Sequence, residues 1–315
     1  MTKSGSKLII GMVAACLCAL LGGMQAHADS TSPRLAAYYE LRLMLCHRTA
    51  YQWRGDDRPV PVANNVVQVG VGRDAGYALT TSGRLLTWSD TAKEKREILD
   101  RVAWFAAGRT GVFAARTDGS LDYVARAKSW FGEGEIVRPE QIGSAVVAAS
   151  IGDSANYFVT RDGTLFVKGL AHRGQYGDGK LAPSDAFVPV ARGVAAIKAH
   201  TGHAILLRQD GAVMGTGGNI YGPLGRHGIG DKAVTWGEIF RGAVAIATGS
   251  SHSLAIRPDG SLWRWGRDIG LDPEKVLGDV AAAAADQGGS MALLNDGSLW
   301  QWQRGEKPEK HFRCP

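Results

Sequence analysis

One strand pattern occurs six times between residues 66 and 302, and it leaves few folds open to the chain. A turn dipeptide, Asp-Gly in five copies and Ser-Gly in one, ends at Gly83, Gly119, Gly163, Gly211, Gly260 and Gly297. Successive spacings are 36, 44, 48, 49 and 37 residues, the range of propeller and solenoid repeats. Eleven residues before each turn glycine stands an anchor: Gly72, Gly108, Gly152, His200, Gly249 or Asp286. Five after the anchor comes a large side chain (Tyr77, Phe113, Tyr157, Ile205, Leu254, Met291), and two further on an apolar one (Leu79, Ala115, Val159, Leu207, Ile256, Leu293). Two after each turn glycine sit Leu85, Leu121, Leu165, Val213, Leu262 and Leu299. Apolar residues at every second position bury one face of each strand. The Asp-Gly between them suits the positive φ angles of a tight hairpin. Segments ahead of the anchors, such as 67–71, 147–151 and 281–285, are small and β-branched, as expected where strands crowd around a central axis. The repeats lie near 66–90, 101–126, 145–169, 194–217, 243–266 and 280–302. Beyond the amino-terminal segment, only residues 91–100 read as a candidate for a short helix. The chain is therefore an all-β repeat protein.

The amino terminus stands apart from this pattern. Lys3 and Lys7 precede an almost unbroken apolar run from Leu8 to Leu21, and Ala26-His27-Ala28 follows with small-x-small spacing. Residues 1–28 read as a secretory signal cleaved after Ala28. The apolar run falls short of the roughly 20 residues that span a bilayer, which argues against an anchor. Val13-Ala14-Ala15-Cys16 also resembles a lipidation box, but the chain stays apolar beyond Cys16. Cleavage leaves 287 of the 315 residues, 29–315, as one domain and takes the formal charge from +6 to +4. So mild a charge, with no long basic run, does not indicate nucleic-acid binding. Cys46 and Cys314 are the cysteines that remain, and in an oxidising compartment they suggest a disulfide. Two unpaired buried thiols are the alternative.

The best copy, residues 244–266, contains Gly249-Ser250-Ser251-His252-Ser253-Leu254-Ala255-Ile256, then Asp259-Gly260, then Leu262-Trp263-Arg264-Trp265-Gly266. It resembles the regulator of chromosome condensation repeat, whose pattern is a Gly-x-x-His-Ser-Leu-Ala-Leu strand, an Asp-Gly turn and a Leu-Trp-x-Trp-Gly strand. Gly174-Gln175-Tyr176-Gly177 is similar to the Gly-Gln-Leu-Gly linker of that family. The resemblance covers 66–302 and implies a seven-bladed β-propeller of four-stranded blades. Only six copies are complete. The expectation is a closing blade shared by the two chain ends, about 35–62 and 303–315, in which Tyr51-Gln52-Trp53-Arg54-Gly55 echoes Leu262–Gly266. A Cys46–Cys314 disulfide would lie across that seam.

Catalytic and metal signals are weak. His200-x-x-His203 has zinc-like spacing, but both histidines fall in repeat slots, and His203 and His252 match the structural histidine of the family. No nucleophile elbow, phosphate loop or calcium loop occurs. No catalytic residue, metal site or cofactor is expected. Most of the nine tryptophans belong to repeat slots; Trp130 and Trp236 fall in the long connections, with Phe131, Phe187 and Tyr221 in the same class of segment. These five are the candidate partner contacts, because inter-blade loops gather at the ends of a propeller. The alternative is that the rings pack under their own loops. Members of the family include a nuclear guanine-nucleotide exchange factor and a secreted bacterial inhibitor of β-lactamases, both acting through protein contact. The reading is an exported, periplasmic or secreted, non-enzymatic monomer that binds a protein partner, with no membrane span after cleavage. A carbohydrate-binding or hydrolytic propeller with a polar site at the central channel is the rival.

Overall fold

The computed structural model describes residues 34–89, 94–125 and 139–315. The expected signal and its cleavage site lie outside the described residues, as do Trp130 and Phe131. Among the described residues every strand belongs to one of seven four-stranded antiparallel sheets. Each sheet is a contiguous stretch of chain: 35–64, 66–99, 102–144, 146–191, 194–241, 245–277 and 280–313. The innermost strand of each meets the innermost strand of the next, and Val280–Ala285 meets Leu35–Tyr38 to close the ring. The molecule is a seven-bladed β-propeller.

Two sequence expectations need correction. The closing blade is not shared between the chain ends. Residues 35–64 form a complete first blade, and the tail strand Glu309–Arg313 pairs with Ser298–Gln303 as the outermost strand of the seventh. The first blade was hard to read because its central hairpin lacks an Asp-Gly turn. It reverses instead through His47 and Arg48, both at positive φ (45° and 66°). Residues 91–100 hold no described helix; Lys95–Leu99 is the outermost strand of the second blade. Its first three residues, Lys95, Arg96 and Glu97, are exposed on both faces, so no alternation marks it as a strand.

The core sits between blades. Seven buried clusters each join two neighbours, and the one at the seam unites Leu35, Met44 and Trp53 with Met291, Leu293 and Leu299. Fully burying one such side chain stabilises by about 1.5–3 kcal/mol, so the first and seventh blades are packed like any other pair. Polar staples add to this. Trp53 Nε1 donates to Gln301 Oε1 at 3.1 Å, and the Gln301 amide donates to Gly55 O at 3.0 Å. The Cys46–Cys314 disulfide crosses the same seam, with Cα atoms 5.8 Å apart. In the repeat slot for histidine, His252 Nε2 lies 2.7 Å from Ser290 Oγ of the next blade, and His203 Nε2 lies 3.5 Å from Ser253 Oγ. Burial holds both imidazoles well below the ordinary histidine range, at about 3. They are neutral blade-to-blade connectors.

Candidate functional site: the loop end of the propeller

In an antiparallel meander the first and third reversals fall at one end and the second at the other. The short Asp-Gly turns therefore share the turn end with the blade-to-blade connections. Anchor turns and the long connections before the outermost strands gather at the opposite, loop end. Two features of that end were not visible in the sequence.

The axis itself is occupied. Tyr38 pairs with Leu41 as Gly72 pairs with Ala75, so Tyr38 fills the anchor slot of the first blade. Its hydroxyl donates to Asp153 Oδ1 at 2.9 Å, and its ring stacks on His200 at 5.8 Å. Asp153 belongs to the fourth blade and His200 to the fifth, so this side chain crosses the ring. Arg109 Nη1 approaches the other oxygen of Asp153 at 3.9 Å. Desolvation, then Asp153, push the phenol far above the ordinary tyrosine range, which keeps it a hydrogen-bond donor. Burial lowers the His200 imidazole, opposed by Asp153 and Asp286. The Gly152 anchor lies tight against the next blade: a Cβ there would stand 2.9 Å from the His200 carbonyl. Chemically this is a closed hydrogen-bonded plug. Tyr38→Phe leaves one Asp153 oxygen without its donor and is expected to cost about 1–2 kcal/mol, measured by denaturant unfolding.

Between the fifth and sixth blades lies an open cleft of about 670 Å³, lined among others by Ile220, Tyr221, Arg226, Ile229, Arg267 and Leu271. Ile220 and Tyr221 are 57% and 52% exposed. The Arg267 guanidinium sits 4.5 Å above the Tyr221 ring, a cation–π arrangement. Leu170 and Leu181, on the matching loop of the fourth blade, are 52% and 44% exposed at the same end. The loop carrying Tyr221 is well pinned. Asn219 donates through Nδ2 to Gly230 O at 3.1 Å and accepts from Leu224 N at 3.2 Å. Pro223 O accepts from Trp265 Nε1 and Ser253 Oγ, each at 2.9 Å. Gly222 is required there: its φ is +74°, and a Cβ would meet Leu271 at 2.6 Å. Such a loop displays its apolar side chains at little ordering cost.

The five aromatic candidates separate in the structure. Tyr221 lies on the exposed cleft. Phe187 and Trp236 lie in outermost strands, not in connections. Phe187 packs on Phe158 and Phe113, with ring centroids at 4.8 and 6.3 Å. Trp236 is half-buried against the core of the fourth blade. Their strands carry no clean alternation, which is why they read as loop. Among the described residues no group of three or more His, Cys, Asp or Glu side chains is placed to hold a metal. The contributions of Ile220, Arg226 and Arg267 were missed. The signal for Ile220 and Arg226 was an aliphatic and an arginine set in the glycine-rich stretch 217–230; Arg267, just after the Gly266 of the sixth blade, had none.

The fold and the loop-end surface define the class: a seven-bladed propeller with a preorganised, partly apolar face and a tyrosine bridging its axis. Yeast (Saccharomyces cerevisiae) Prp20p, whose structure was described with its binding to Gsp1p and histones, superposes with a TM-score of 0.69 at 17% identity, covering 81% of this chain and 80% of that one. Human WBSCR16 gives 0.67 at 16% identity, covering 80% and 84%. The ectodomain of the Arabidopsis thaliana receptor kinase ACR4 gives 0.54 at 14% identity, covering 89% and 98%. The sequence matches no model of a protein family and no curated protein.

Proposed function

We propose that this protein is an exported member of the regulator of chromosome condensation repeat family that acts by binding a protein, as an inhibitor or a scaffold, and not by catalysis. One observation carries the reading: Ile220 and Tyr221 stand exposed on a rigid loop with Arg267 stacked on the ring. Tyrosine and arginine dominate binding hot spots. Leu170 and Leu181 extend this face over the neighbouring blade. Trp130 and Phe131, outside the described residues, stay in this proposal as partner contacts, whereas Phe187 and Trp236 lie in their outermost strands. The yeast neighbour was described with protein partners, which is support in kind. Export is supported by the basic and apolar character of residues 1–28 and by a disulfide of the kind that persists in oxidising compartments. Among the described residues no helix is long and apolar enough to cross a membrane. Tyr38 filling the axis weighs against a carbohydrate or hydrolytic site at this end.

The test places a photo-crosslinking amino acid at Tyr221, and separately at Val244 on the turn end, in the exported fraction of the native host. A discrete protein adduct from position 221 and none from 244 is expected. Adducts of equal yield from both, or none from 221, reject the reading. With the captured partner, Tyr221→Ala is expected to weaken binding about 30-fold or more, the 2 kcal/mol of a hot spot, with an unchanged melting temperature.

A further inference from the structure

The cleft between the fifth and sixth blades is walled by the loop 219–231 on one side and by residues 266–271 on the other. Ile220, Tyr221, Ile229 and Leu271 give it an apolar lining. Gly228, Gly230 and Gly270 line it too, and a Cβ at any of them would meet nothing within 4 Å. Bare backbone of this kind lets another main chain come close. At about 670 Å³ the cleft has room for several residues of chain and not for one side chain alone.

Three arginines stand around it. Arg267 lies on the Tyr221 ring at 4.5 Å. Arg226 lines the cleft with its guanidinium laid over Gly237, where a Cβ would collide with the guanidinium carbon and both terminal nitrogens. Its Nη1 is buried and meets no hydrogen-bond acceptor among the described residues. Arg173 reaches across from the fourth blade. A Cβ at Gly202 or Gly218 would stand 3.0 or 3.4 Å from its Cδ, so it runs beside the base of the Tyr221 loop. The neighbouring carboxylates are taken up within the chain. Asp268 lies 3.6 Å from Arg267 and 3.7 Å from Arg304, Asp272 meets His227 at 3.0 Å, and Asp178 accepts from Lys180 N at 3.0 Å. Asp231 is set where the loop enters the strand Lys232–Arg241, next to Lys232 in the chain. Among the described residues no carboxylate pairs with Arg173 or Arg226.

Resting on the protein-binding reading of the same face, we infer that the cleft receives an extended acidic segment of the partner, one large apolar side chain flanked by carboxylates. The apolar side chain fits against Ile229 and Leu271. Its neighbours bring carboxylates to Arg226 within the cleft and to Arg173 at the margin. The planar fork of a guanidinium matches a carboxylate through two parallel N–H bonds. A basic segment would set its charges against three arginines. A wholly apolar one would cover Arg173 and Arg226 without giving them a counter-ion, which is costly.

A fluorescein-labelled peptide, GEEWEEG, is the probe, titrated by anisotropy with the full exported protein. GKKWKKG and GEEAEEG are its comparisons. Saturable binding of the first is expected, with the other two at least tenfold weaker, and raised salt should weaken it. Arg226→Gln and Arg173→Gln should each weaken it about tenfold or more, the scale of a hydrogen bond to a charged group. Arg208→Gln, at the turn end, should leave it unchanged. Because Arg226 is packed against Gly237, the exposed Arg173 keeps the test independent of folding. Absence of saturable binding overturns the proposal. So does equal binding of the lysine peptide, or unchanged affinity in folded Arg226→Gln and Arg173→Gln proteins. The same peptides are then added to the crosslinking from position 221. The acidic peptide should abolish the adduct and the lysine peptide should spare it. An adduct that the acidic peptide does not displace overturns this inference and leaves the protein-binding reading standing; no adduct at all removes both.

Discussion

Replacing Cys46 and Cys314 together by alanine is expected to lower the free energy of unfolding by about 5 kcal/mol. The bond closes a segment of 268 residues, and on the chain-entropy model a loop of that size confines the unfolded chain by about that much. For a domain of this size the melting temperature should fall by roughly 10–20 °C. The location makes the effect specific. Neither terminal blade takes a strand from the other, so among the described residues this junction is held by side-chain contacts and the disulfide. Leu35–Tyr38 is among the shortest strands of the molecule, and Cys314 follows the outermost strand of the last blade. Hydrogen exchange in the variant should therefore accelerate first in Leu35–Tyr38 and Glu309–Arg313. Reduction of the wild-type protein should reproduce both changes. A loss below about 1 kcal/mol, or exchange that rises evenly around the ring, would show that packing of Trp53, Met44 and Met291 closes the propeller unaided.

That junction also marks the limit of what the sequence could tell. Three inner strands per blade are legible because both of their faces are buried and their central turn demands Asp-Gly, so chemistry repeats wherever geometry does. The outermost strands are not. Ser184–Ala191 and Gly270–Leu277 have one edge and much of both faces in solvent, which removes the alternation that betrays a strand. The first blade hid for a related reason, since a turn at His47 and Arg48 spends positive φ on residues that rarely signal it. Site residues divide the same way. Tyr221 was legible as an aromatic in a glycine-rich connection. Tyr38 was not, because its partners Asp153 and His200 are brought to it by ring closure and by no spacing along the chain.

Acidification should destabilise the propeller well before its carboxylates titrate. His203 and His252 are buried, and their folded pKa values of about 3 lie below the ordinary 6.5 that they regain on unfolding. As pH falls through 6.5 the unfolded chain binds protons that the folded chain refuses, so stability declines from there down to about pH 3 and then levels off. One pKa unit corresponds to about 1.4 kcal/mol, so at pH 4.5 the two histidines together remove about 5 kcal/mol relative to pH 8. His200, also lowered by burial, adds in the same direction. Aspartates of the hairpin turns act in a separate window. Asp118, Asp162, Asp259 and Asp296 are lowered by hydrogen bonds from Ser120, Thr160 with Thr164, Ser261 and Ser298 respectively, so what they contribute is kept above the usual aspartate range and lost only at more acid pH. Urea unfolding of the wild-type protein and of His203→Gln/His252→Gln at pH 8, 6 and 4.5 separates the two effects. The double variant is expected to be less stable at pH 8, because the contacts to Ser253 and Ser290 change, yet to lose several kcal/mol less between pH 8 and 4.5. Parallel pH profiles for the two proteins would mean that these imidazoles accept protons in the folded ring, and that the histidine slot binds blade to blade in its charged form.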